Sequence, residues 1–98
     1  MRANPLVEPL KPADAKRLAR EIFEDGQVEL SSHAIDEMRN DGLQTADCLN
    51  LVRAGVFEAA EYINREWRYR IHTSRICIVI AFVSAERLKI VTAWRVKR

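Results

Sequence analysis

Two arginines and a histidine recur at every second position of Trp67-Arg68-Tyr69-Arg70-Ile71-His72. In an extended strand this spacing puts Arg68, Arg70 and His72 on one face and Trp67, Tyr69 and Ile71 on the other. Neighbouring guanidinium groups match phosphate oxygens through paired N–H groups. Lys89 and Arg95, near the end of the chain, are further cations that suit a phosphate. Trp94, beside Arg95, offers a ring on which a nucleobase can stack, a contact worth about 1–3 kcal/mol. Trp67 and Tyr69 read first as packing residues, because rings in strands usually face a core. His33 and Glu37 stand four residues apart, one helical turn. A carboxylate beside an imidazole favours its charged form, which suits a general acid. Basic and aromatic side chains on one sheet make RNA the first ligand to consider.

Other chemistries find less support. There is no Cys-x-x-Cys pair, and His33 and His72 are the only histidines, so neither a metal site nor another cofactor is expected. Cys48 and Cys77 read as reduced, buried thiols. The apolar run Ile76–Val83 is far too short to span a bilayer, and the opening residues lack the apolar core of a signal peptide. No membrane association is expected, and the cytoplasm is the expected compartment.

Charge is divided unevenly along the 98 residues, although the net charge is only +2. Residues 66–98 carry Arg68, Arg70, Arg75, Arg87, Lys89, Arg95, Lys97 and Arg98 against Glu66 and Glu86, a net +6. Residues 1–65 net −4. The split implies a polyanion-binding half and an acidic half.

The elements that must hold these residues follow from periodicity. The length suits one domain with a core of its own. Residues 1–11, with Pro5 and Pro9, read as a mobile arm, and residues 12–98 as the domain. Pro12 suits a first helical turn. Ala15, Leu18, Ala19, Ile22 and Phe23 then form a helical stripe, and Gly26 reads as a left-handed cap. Val28–Leu30 reads as an extended link. Ser31 or Ser32 caps a second helix over 32–40, closed by Gly42, and Thr45 caps a third that ends near Gly55. Beyond it the period changes to two. Strands are predicted over 56–63, 66–73, 75–83 and 88–96, with a turn at Asn64-Arg65. The strand over 75–83 is apolar on both alternating sets and belongs mid-sheet. The expected fold is α+β, with three N-terminal helices on one face of a four-stranded, mostly antiparallel sheet. The second sheet face is then left for a ligand or partner.

His33-Ala34 followed by Met38, then Gly42-Leu43, resembles the pattern Ser-x-His-Ala-x-x-x-Met-x-x-x-Gly-Ile/Leu that opens an uncharacterised bacterial domain family. That family is similar to the RelE and MqsR type toxins of toxin–antitoxin modules. Trp67-Arg68-Tyr69-Arg70 and Ile90-Val91-Thr92-Ala93-Trp94 resemble its second and last strands. The likeness covers about residues 28–95. It departs at Glu37 and Asp41, where many members carry arginine, and this leaves the strand cations as the stronger phosphate contacts. The resemblance implies a RelE/MqsR-like fold and a metal-independent endoribonuclease, an mRNA interferase. His33, Glu37, Arg68, Tyr69 and Arg70 would be its catalytic candidates, and Arg95, Lys89, His72 and Trp94 would contact RNA. It also implies a cognate antitoxin that presents acidic and apolar groups to the sheet. The alternative is a non-catalytic protein-interaction or RNA-binding module that retains the fold.

Overall fold

The computed structural model describes residues 6–96. Three helices come first: α1 (Pro12–Asp25), then after strand β1 (Gln27–Leu30) come α2 (Ser32–Asp41) and α3 (Thr45–Ala54). Five strands follow: β2 (Val56–Phe57), β3 (Glu61–Ile63), β4 (Glu66–His72), β5 (Ile76–Ser84) and β6 (Arg87–Arg95). Strand order is β1-β6-β5-β4-β2, and β3 pairs with the other end of β4. β4, β5 and β6 form an antiparallel meander, whereas β1 runs parallel to β6. The sheet is therefore six-stranded and mixed, which corrects the expected four-stranded, mostly antiparallel one.

The extra strands have local causes. Val28 and Leu30 pair with Leu88 and Ile90, so the stretch read as a link is a strand. Four residues give too little alternation for the period to register. The stretch 56–63 splits in two, because β2 pairs with Ile71 and His72 while β3 pairs with Glu66 through Arg68. Ala59 and Ala60, poor strand formers, lie in the break. β3 and β4 meet through Asn64 and Arg65, both with positive φ (52° and 67°). Positive φ at both central residues is the two-residue turn whose twist suits a hairpin.

Helix ends show the same close control. The Ser31 hydroxyl accepts from the Ala34 N–H at 2.9 Å and donates to the Val91 carbonyl at 2.7 Å. It caps α2 and ties that helix to β6. Gly42 closes α2 at φ 67°, the left-handed region. Gly26 does not act as a left-handed cap, since its φ is −107°. It is small because a Cβ there would lie 2.3 Å from the Glu86 carbonyl oxygen. The N-cap of α3 is Gln44 rather than Thr45, and its N–H donates to Asp47 at 2.7 Å.

One sheet face carries the core. Tyr69 and Ile71, Ile78 and Ile80, and Leu88, Ile90 and Ala93 are buried with Ala15, Ala19 and Ile22 of α1, Ala34 and Met38 of α2, and Leu51 and Val52 of α3. β5 lies mid-sheet as expected, and Cys77 and Ala81 on its other face are buried too. Residues 1–5 of the expected arm, and Lys97 and Arg98, lie outside the described residues. Within 6–11, Leu6 and Leu10 pack against the core. No helix among the described residues is long and apolar enough to cross a membrane.

Candidate functional site

Ladder register sets what the opposite face displays. Tyr69 and Ile71 point into the core, so Arg68, Arg70 and His72 point away from it. Across the sheet they meet Cys77, Val79 and Ala81 of β5, then Lys89, Thr92 and Trp94 of β6. A shallow hollow of about 210 Å³ lies here, lined by Arg68, Arg70, Val79, Val91, Thr92 and Trp94, with Glu61 and Ile63 of β3 at its side. Enclosed small-molecule sites begin at about 300 Å³. This one suits part of an extended polymer laid across strands.

Ion pairs use most of the cations on this face. Glu66 accepts from Arg68 Nε at 2.8 Å and from Lys89 Nζ at 3.1 Å. Burial pushes its carboxyl up, but the hydrogen bonds and charges of Arg68 and Lys89 outweigh this and hold it below its usual value. Arg87 pairs with Glu29. Arg70 is exposed and has no ion pair among the described residues.

His72 has a partner that the sequence did not disclose. Its Nε2 lies 2.8 Å from Glu58 Oε2. Glu58 follows β2, and its N–H donates to the Arg70 carbonyl at 3.0 Å. That backbone bond brings the carboxylate beside His72. His72 also pairs across strands with Cys77, and Cys77 with Trp94. Burial raises the Cys77 thiol, the Arg70 charge opposes this and the Glu58 charge adds to it. Arg70, His72 and Glu58 thus gather around one buried thiol. Two residues along a strand span about 6.5 Å, so Arg70 and His72 can both reach a single phosphodiester. Glu58 was invisible as a site residue because it sits in the break after β2, 14 positions before its histidine.

Three sequence candidates have other surroundings. Tyr69 is fully buried on the core side; its hydroxyl donates to Glu8 Oε2 and accepts from the Leu10 N–H, both at 2.9 Å. Burial foremost, with Glu8 adding, pushes that hydroxyl up to about 12. The structure does not bring it to the open face with Arg68 and Arg70. Arg95 pairs with Ile76, and its guanidinium donates to the Asp41 carbonyl at 2.7 Å and the Gly42 carbonyl at 3.4 Å. Its N–H donates to the Asp41 carboxylate at 2.8 Å. Arg95 therefore satisfies the carbonyls at the end of α2, a common use of a cation there. Asp41, a departure from the resembled pattern, is the other half of this tie.

His33 is exposed and Glu37 half-buried, with no hydrogen bond between them. Their setting follows from two anchors. Ser31 is bonded to Val91 and Asp41 to Arg95. Ten residues of helix rise about 15 Å and four residues of strand about 13 Å. α2 therefore runs alongside β6 where β1 has ended. His33, Glu37 and Asp41 stand at four-residue spacing on α2, and the last of them accepts from the Arg95 N–H of β6. Neither His33 nor Glu37 is among the residues that line the hollow beside Thr92 and Trp94.

No family model matches the chain, and no curated protein or solved structure is significantly similar to it. The site is read from its own residues. Among them, no three His, Cys, Asp or Glu side chains of the described residues group so as to hold a metal ion.

Proposed function

We propose that this protein is a toxin-like endoribonuclease of a toxin–antitoxin pair, acting in the cytoplasm on single-stranded RNA laid across the open face of its sheet. The observation that carries the reading is Arg70. It is an exposed guanidinium without an ion pair among the described residues, beside a hollow with Trp94 on its wall. Arg70 binds the phosphate and stabilises the charge that builds on it during cleavage. Trp94 stacks a base next to it. Val79 and Ile63 supply the apolar part of the same face, which an antitoxin would cover with apolar and acidic groups.

The test is expression with and without the product of the neighbouring gene. Growth arrest and RNA cleavage without that product, relieved when it is present, support the reading. Intact RNA and normal growth at high expression reject it. In purified protein, Arg70→Ala weakens RNA binding at least several-fold, and unchanged binding moves the site elsewhere.

A second reading, a protein-interaction module without catalysis, is favoured by one observation. Arg68 and Lys89 already share an ion pair with Glu66, and Arg87 is paired with Glu29. A tight complex with a protein partner, with no cleavage of any RNA offered, selects it.

A further inference from the structure

We propose that His72 is the general base of the open face and Glu58 its positioning residue. This rests on the reading of that face as an RNA-cleaving site. The geometry is a contact of 2.8 Å between Glu58 Oε2 and His72 Nε2. A carboxylate is only an acceptor, so Nε2 carries the proton and Nδ1 keeps its lone pair. An imidazole whose tautomer is set in this way by a carboxylate is equipped to take a proton on its other nitrogen. The backbone bond from Glu58 to the Arg70 carbonyl fixes the loop that holds the carboxylate. The same strand face places Arg70 one step away, where it can hold the phosphate.

The reaction balances without a metal or a redox partner. His72 Nδ1 takes the proton of an RNA 2′-hydroxyl as the 2′-oxygen bonds to the adjacent phosphorus. The bond from phosphorus to the 5′-oxygen breaks, and that oxygen takes a proton from solvent. The imidazolium then returns its proton to solvent. The products are a 2′,3′-cyclic phosphate and a 5′-hydroxyl. Glu58 stays ionised throughout and stabilises the imidazolium.

His33, the other histidine, lies on α2 outside the lining of the hollow and has no carboxylate hydrogen-bonded to it among the described residues. This difference selects His72.

The experiment uses the full chain and a single-stranded RNA oligonucleotide containing all four bases, with the 2′-O-methyl oligonucleotide as an uncleavable ligand. Binding to the latter and cleavage of the former are measured for wild type, His72→Ala, His72→Gln, Glu58→Gln and His33→Ala. His72→Gln keeps a polar side chain of similar size should the alanine variant fold poorly. The expected result is cleavage to cyclic phosphate ends by wild type. Both His72 variants lose at least about 100-fold in rate, with binding changed less than threefold. Glu58→Gln loses about tenfold and shifts the pH–rate profile. Wild-type rates in the His72 variants overturn the proposal while leaving the face as an RNA site. So does a loss confined to His33→Ala, and so does tight binding without cleavage by wild type. Absence of both binding and cleavage in wild type overturns the proposal and the reading beneath it together.

Discussion

Glu66 holds two cations with one carboxylate, and its replacement tests both stability and function. Its pKa in the folded chain is lowered below the usual 4.5. The stabilisation this gives is complete above 4.5 and is lost as pH falls through the lower folded value. Glu66→Gln is expected to cost about 1–2 kcal/mol at pH 7, since charged hydrogen bonds are lost. The difference from wild type should vanish in strong acid, as urea unfolding at the two pH values would reveal. The same variant releases Arg68 and Lys89, so RNA binding at low salt should tighten. Tyr69 makes a different case. Tyr69→Phe leaves Glu8 and the Leu10 N–H without their common partner, and about 1–2 kcal/mol should be lost in unfolding titrations. Its burial was legible from the alternation of Trp67, Tyr69 and Ile71. Its hydroxyl bonds were not, because Glu8 lies 61 residues earlier.

At the scale of elements, the β3–β4 hairpin carries a cost that can be removed. Arg65 sits at φ 67°, where an L side chain loses about 1–2 kcal/mol. Glycine adopts that conformation freely but gives back part of the gain through the entropy of the unfolded chain. Arg65→Gly should raise stability by at most about 1 kcal/mol, read as a higher urea midpoint at constant slope. Gly26 is the opposite case. Gly26→Ala drives a Cβ to 2.3 Å from the Glu86 carbonyl oxygen, so α1 must move from the β5–β6 turn. A loss of about 1–3 kcal/mol is expected. Sequence marked both positions as turns. It gave the reason for neither: Gly26 is required by a carbonyl 60 residues away, and Arg65 is tolerated because Asn64 and strand pairing impose the turn. The three helices and β4 to β6 were legible because each is long enough to repeat its period. β1 was not, and neither was the break that divides 56–63 into β2 and β3, since strands of two to four residues form only where β6 and β4 are already there to pair with.

Across the whole molecule, the charge split along the chain does not become a charge split in space. Folding brings Glu29, Glu58 and Glu61 from the acidic two-thirds onto the face that carries Arg68, Arg70, Arg87 and Lys89, and Glu66 joins them. The four carboxylates balance the four cations. Charge arithmetic on the sequence could not foresee this, because it places residues by number and the sheet places them by register. The consequence is measurable. Each phosphate neutralised on a single strand contributes about −0.7 to the slope of log affinity against log salt. A face presenting a net +6 would give a slope near −4 by this relation. With Arg70 as a cation of this face that has no ion pair among the described residues, one to three phosphate contacts are expected, and a slope between about −0.7 and −2. Removing Arg70 should flatten it by about one contact. Glu66→Gln should steepen it by about two, because Arg68 and Lys89 then meet phosphate in place of Glu66. A steep slope in wild type, unchanged by either substitution, would put the RNA on a surface other than this sheet face.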